Sequence, residues 1–134
     1  MLSKSAEAAI AAMGRLAQAQ CRGEPPLTAV QVAEDRGLQR PYAAKLLTVL
    51  SQHGLVIGTP GPNGGYRLAR AAAEISLLQI VVCFERPNLS SPCMFHPEHC
   101  GGDYPPCPLH HGLERLRSER DTFLRETTLA DFCV

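Results

Sequence analysis

The chain has no run of about 18 consecutive apolar residues, the length a helix needs to cross a bilayer. Its N-terminus has no charged region leading into an apolar block. Neither a membrane span nor a secretory leader is expected, and a cytoplasmic location follows. Net charge is also missing, since 13 Lys and Arg offset 13 Asp and Glu, a balance that at first argues against a nucleic-acid partner. At 134 residues there is no room for a large enzyme scaffold. The glycines at positions 61, 64 and 65 are not followed by Lys-Ser/Thr or by a helix start, which excludes a nucleotide-phosphate loop. Cys107 and His110 are close in sequence but lie in a proline-rich stretch that is a poor place to hold a nucleophile, and nothing reads as an oxyanion hole. No catalytic residue is expected and the chain is not read as an enzyme.

The charge that is present is unevenly placed. From Arg36 to Ala73 there are Arg36, Arg40, Lys45, Arg67 and Arg70 and no acidic residue, so this window is strongly basic on an otherwise acidic chain. That is the footprint of a surface that meets phosphates.

Local patterns place this window on recognisable elements. Residues 5–19 are rich in strong helix formers, with Ala6, Ile10, Met13, Leu16 and Ala17 on one face and Ser3 or Ser5 as cap. Thr28 and Gln31 form a capping-box pattern, the stripe Ala29, Val32, Ala33 follows, and Gly37 ends a second short helix. Pro41 suits the first turn of a third helix carrying Tyr42, Leu46, Leu47, Val49 and Leu50 and closing at His53-Gly54. Two short helices joined by a tight Gly-containing turn predict a helix-turn-helix. Leu55–Thr59, the turn residues 60–65 and Tyr66-Arg67-Leu68 then read as a hairpin, placed where a wing would be. The candidate DNA contacts are Gln39, Arg40, Tyr42 and Lys45 on the third helix, with Asn63, Gly64, Gly65 and Arg67 on the wing.

Six cysteines fall into two groups. Cys21, Cys83 and Cys133 lie beside helical apolar positions and are expected to be small core residues, and a reducing compartment argues against a disulfide framework. Cys93, Cys100 and Cys107 form C-x6-C-x6-C, with His110 following at C-x2-H. Pro92, Pro97, Pro105, Pro106 and Pro108, with Gly101-Gly102, forbid regular structure there. Soft thiolates on an irregular loop suit an iron-sulfur cluster, because each sulfur can turn toward a shared centre. Zinc in a Cys3His set, or bare thiols forming a redox disulfide, are the alternatives, and the absence of a C-x2-C pair favours the cluster.

The helix beginning at Ser76 is uniformly apolar through Phe84 and is expected to be buried between the domain and a partner. After the loop (92–108), a helix at 109–127 carries Leu109, Leu113, Leu116, Arg120 and Phe123 at alternating spacings of four and three, and is expected to dock against a second copy of the chain. The expected fold is mainly α with a small β-hairpin wing: a winged helix-turn-helix DNA-binding domain (1–75), then a linker helix, cysteine loop and long C-terminal dimerisation helix (76–134).

The order of these parts resembles the Rrf2 family of winged-helix transcription regulators. The opening Met-Leu-Ser-Lys-Ser-Ala-Glu-Ala-Ala-Ile, the Pro-Tyr-Ala-Ala-Lys-Leu-Leu helix and Gly-Leu-Val-Ile-Gly-Thr-Pro-Gly-Pro-Asn-Gly-Gly-Tyr-Arg-Leu-Ala-Arg carry the resemblance. So do Glu-Ile-Ser-Leu-Leu-Gln-Ile-Val, the three-cysteine loop and Thr-Leu-Ala-Asp-Phe. The resemblance implies a homodimer that binds double-stranded promoter DNA and senses redox, nitric oxide or iron-sulfur status. It implies a 2Fe-2S or 4Fe-4S cluster on Cys93, Cys100 and Cys107. The fourth ligand is then His110, as in IscR-like members, or Glu7 from the partner subunit, as in NsrR-like members, with His96, His99 and His111 nearby. A winged-helix adaptor that binds protein in place of DNA is the reading from another class.

Overall fold

The computed structural model describes residues 2–85 and 105–133. Among them the chain runs α1 (Lys4–Cys21), α2 (Ala29–Arg36), α3 (Arg40–Gln52), β1 (Val56–Thr59), β2 (Gly65–Leu68), α4 (Leu77–Val81) and α5 (His110–Glu126). Short 3-10 turns lie at Ala72–Glu74 and Leu129–Phe132. The expected mainly helical fold with a two-stranded antiparallel hairpin is what forms.

α1 starts where the Ser3 hydroxyl accepts the Ala6 N–H at 3.1 Å. Its inward face is Ala6, Ala9, Ala12, Met13, Leu16 and Ala17, all buried. Small side chains there let other backbones come close, and α2, α3, α4, β2 and the 129–132 turn all pack on this one helix. At Gly14 a Cβ would sit 2.9 Å from the Phe132 ring, so the last turn lies directly on the α1 backbone.

α2 is closed by the predicted capping box: Gln31 N–H donates to Thr28 Oγ1 at 3.1 Å and Thr28 N–H to Gln31 Oε1 at 2.8 Å. Gly37, at φ 65°, stops it in the left-handed conformation. α3 follows with Pro41 in its first turn and buries Ala43, Leu46, Leu47 and Leu50. Arg15 ties these parts together at the surface, its guanidinium bonded to Glu24 at 3.0 Å and Asp35 at 2.8 Å. Those hydrogen bonds, Glu24 first, push its pKa upward.

β1 and β2 pair with Val56 opposite Leu68 and Thr59 opposite Gly65. Leu27 joins their edge, exchanging both backbone hydrogen bonds with Tyr66 at 3.1 and 2.6 Å. The chain end is fixed in the same way, since Leu77 N–H donates to Thr127 and Leu129 N–H to Ile75.

Two expectations need correction. The apolar run after Ser76 is helical only over Leu77–Val81, and Leu77, Ile80 and Val81 are buried against this chain's own core. The chain turns at Val82–Phe84, so Val82 is 48% exposed. Cys83 is half-buried, donating its S–H to Gln79 O at 3.3 Å, and burial raises its pKa. The second correction concerns Cys21 and Cys133, which are not small core residues. Cys21 is exposed, Cys133 half-buried, and the two form a disulfide with Cα atoms 5.8 Å apart. The expectation of no disulfide is overturned to that extent, because the last turn runs back along α1 to its end.

α5 is mostly surface. Leu124 is its one buried side chain among the described residues, while Leu109 (45% exposed), Leu116 (49%) and Phe123 (58%) form an outward apolar stripe. Leu124→Ala is therefore expected to lower stability by about 2 to 5 kcal/mol through the cavity it leaves. A urea midpoint unchanged from the parent chain would show that α5 is not anchored by this residue.

Candidate nucleic-acid interface and ligand loop

The turn between α2 and α3 brings Gln39 and Arg40 to the start of α3. Gln39 is the N-cap residue, exposed, with no side-chain bond to the helix, and no acidic residue occupies the first turn. The positive end of the helix dipole is left open to an anion. Arg40 is exposed and paired with Glu34 of α2 at 3.0 Å, a contact worth at most about 1 kcal/mol between two such exposed groups. Lys45 lies further along α3, exposed, and no carboxylate pairs with it among the described residues.

Tyr42 is placed differently from the other three. It is half-buried, and its hydroxyl donates to Ser5 Oγ in the first turn of α1 at 3.1 Å. It fixes α3 against α1 and is less free to reach a base than Gln39, Arg40 or Lys45.

On the wing, Asn63 is exposed and Gly64 N–H donates to Gly61 O at 2.9 Å, closing the tip. A Cβ at Gly64 would fall onto the Thr59 carbonyl, and one at Gly65, where φ is +148°, would lie 2.8 Å from the Leu27 backbone. Arg67 is exposed on β2 with no carboxylate partner among the described residues, whereas Arg70 donates to Gln79 Oε1 at 3.1 Å. Of the basic window, Arg40 pairs with a carboxylate, Arg36 and Arg70 bond neutral amide oxygens, and Lys45 and Arg67 present cations to solvent, while the wing glycines keep the tip narrow.

Cys93 and Cys100, with His96 and His99, lie outside the described residues. Cys107 is half-buried, and its carbonyl accepts the His110 N–H at 3.1 Å, so the last cysteine and the predicted histidine share one turn at the start of α5. His110, His111 and Glu114 offer ligand atoms that all lie within 4.8 Å of one another, with His110 Nε2 3.6 Å from Glu114 Oε2. Glu85 accepts the Ser3 N–H at 2.8 Å, which sets Glu85 against the first turn of α1, where Glu7 is exposed.

Sequence reasoning passed over Glu34 and Glu114, and took Ser5 only as a possible helix cap. The His110/Glu114 pairing was readable as an i, i+4 spacing. The Arg40–Glu34 and Tyr42–Ser5 contacts depend on how neighbouring helices pack and left no local signal.

A family profile described as Rrf2, iron-dependent transcriptional regulator, matches residues 2–134. The chain is 32% identical over 103 residues to an HTH-type transcriptional regulator of Aquifex aeolicus, covering 75% of this chain and 71% of that protein. It is 33% identical over 109 residues to the HTH-type transcriptional regulator IscR of Serratia proteamaculans, covering 81% of this chain and 65% of the relative. The chain thus spans about two thirds of the length of these relatives. Among solved structures it is similar to IscR of T. potens, with TM-score 0.76, 29% identity, and 98% and 84% of the two chains covered. It is also similar to CymR, the global cysteine regulator of B. subtilis, with TM-score 0.78, 26% identity, and 98% and 94% covered. No helix among the described residues is long and apolar enough to cross a membrane.

Gly64→Ala is expected to distort the wing and to cost roughly 1 to 3 kcal/mol of stability. Amide chemical shifts of residues 58–66 identical to those of the parent would refute the steric reading of the tip.

Proposed function

Given that the chain belongs to the Rrf2 family of transcriptional regulators, which are not enzymes, we propose that it is an iron-sulfur-responsive regulator of promoter DNA acting as a homodimer. Family members bind DNA. The finer parts of the proposal are the cluster, the dimer and the residues that serve each.

The observation that supports the reading is the start of α5, where a backbone hydrogen bond puts Cys107 and His110, a soft sulfur and a borderline nitrogen donor, in one turn. This donor pair fits iron. Cys93, Cys100 and Cys107 would hold the cluster, with His110 as fourth ligand or Glu7 supplied by the partner subunit. When bound, such a cluster supplies an iron site open to oxidation or nitrosylation.

The protein's part is to transmit the loop's state. Glu85, which precedes the loop in sequence, is bonded to the Ser3 N–H at the start of α1, and Tyr42 fastens α3 to the same turn through Ser5. On the other side the loop runs into α5, whose stripe of Leu109, Leu116 and Phe123 suits docking against a second copy. A shift of paired α5 helices changes the separation of the two α3 helices, and DNA half-sites must be met about one helical turn, or a multiple of it, apart. A coupling of about 1 to 3 kcal/mol corresponds to roughly 5- to 150-fold in affinity. Gln39, Arg40 and Lys45 would face base edges and flanking phosphates, and Arg67 with Asn63, Gly64 and Gly65 the backbone or minor groove.

A second reading keeps the DNA role and replaces the cluster with zinc, held by Cys93, Cys100, Cys107 and His110. It is favoured by the His110, His111 and Glu114 group, which adds nitrogen and oxygen donors of the kind zinc accepts. Colourless anaerobic protein with one zinc per chain would select it. The adaptor reading has no support in a family described by transcriptional regulation.

Two measurements bear on the proposal. Protein prepared without oxygen should absorb in the visible range, and Cys100→Ala should abolish that absorbance; a retained spectrum removes Cys100 from the ligand set. Arg67→Ala should weaken binding to all duplex sequences alike and reduce the slope of log affinity against log salt by about 1. An unaltered slope would take Arg67 off the phosphate contacts.

A further inference from the structure

We propose that Cys21 and Cys133 form a reversible redox latch, separate from the loop cysteines, that locks the C-terminal turn onto the end of α1. Four observations support it. The two residues are 112 apart in sequence, yet their Cα atoms lie 5.8 Å apart, within the usual span of a disulfide. Cys21 is exposed and Cys133 only half-buried, so small thiols and disulfides can reach the bond. The approach of the two does not depend on the bond alone, because Leu129 is fully buried and Phe132 lies on Gly14. The reduced state is also provided for, as the Cys133 sulfur has the Ala17 and Leu129 carbonyl oxygens at 3.7 and 3.9 Å to receive its S–H.

The chemistry is thiol-disulfide exchange with a low-molecular-weight disulfide of the glutathione class. The exposed Cys21 thiolate attacks one sulfur of that disulfide, forming a mixed disulfide and expelling one thiolate. Cys133 thiolate then attacks the Cys21 sulfur, the Cys21–Cys133 bond forms, and the second small thiolate leaves. Two protein thiols are oxidised, one small disulfide is reduced to two thiols, and the cysteine protons pass to the departing thiolates. Excess reduced thiol runs the sequence backwards.

The position of the bond gives it a consequence. Cys21 is the last residue of α1, and Leu27, six residues on, is hydrogen-bonded to Tyr66 of the wing. Cys133 follows α5 and the 129–132 turn. The bond therefore fastens the exit of α5 to the segment that leads into the DNA-reading half of the chain. Its effect on DNA affinity rests on the function proposed above, whereas its formation does not.

The test uses the full chain carrying Cys93→Ser, Cys100→Ser and Cys107→Ser, reduced and then equilibrated with oxidised glutathione. Peptide mapping without reductant is expected to find Cys21 linked to Cys133. The melting temperature should rise by roughly 5 to 15 °C, reversibly with dithiothreitol, and the rise should be absent when Cys133→Ser or Cys21→Ser is added. The latch is overturned if the two cysteines are recovered as thiols, as separate glutathione adducts or linked to Cys83. Binding to family-type promoter duplex is measured on the parent chain and on the reduced and oxidised variant. A shift between the two redox forms, lost in Cys133→Ser, supports the regulatory effect, and equal affinity removes it. If the parent chain binds no duplex at any salt concentration, the proposed function fails, while a linked peptide still establishes the redox pair.

Discussion

The close packing of small side chains on α1 is the constraint from which the rest of the structure follows. Ala6, Ala9, Ala12 and Ala17 are fully buried, and Gly14 has no room for a Cβ beneath Phe132. With larger residues on that face, α4, β2 and the final turn could not all reach the same helix. The DNA-reading half and the loop-bearing half therefore share one cluster, in which Ala6 to Ala19 meet Leu47, Leu50 and Leu68 as well as Ile80, Leu124 and Leu129. Whatever moves α1 is felt on both sides.

The distribution of charge follows from the same packing. A net charge of zero conceals a division of labour among the cations. Arg15 is taken up by Glu24 and Asp35, Arg36 by Gln18 and Arg70 by Gln79, so they serve as ties between elements. Lys45 and Arg67 are left without carboxylate partners among the described residues, on the two elements that a winged helix presents to a duplex. Composition alone would have missed this, because the surface that matters is a small part of the chain.

What was legible in the sequence was local. The Thr28/Gln31 box, Gly37 and Pro41 set the ends of α2 and α3 by hydrogen bonds and dihedral limits that act within a few residues, and each appears where those residues place it. The wing was legible for the same reason, from its turn residues and β-branched flanks. The extent of α4 was not, because the run from Leu77 to Phe84, apolar but for Gln79, contains no charge or glycine to mark where the helix gives way to a turn. The Cys21–Cys133 bond was also out of reach, since nothing in either neighbourhood encodes a contact 112 residues away. At the candidate site, the exposure of Gln39, Lys45 and Arg67 was foreseen, whereas Tyr42 proved to be a strut held by Ser5. Cys107 and His110 share a turn, as their spacing implied, while Cys93 and Cys100 lie outside the described residues.

The Arg40–Glu34 contact bears on how such a protein samples a genome. Under the proposed function, in which Arg40 faces phosphate, Glu34 is a weak competitor for its guanidinium. On that proposal a random duplex must first evict it, which would shorten dwell on wrong sequence by up to about fivefold for a contact of up to about 1 kcal/mol. A site that also satisfies the helix through its base edges would make good the loss, so an acidic side chain beside the recognition helix would sharpen the search.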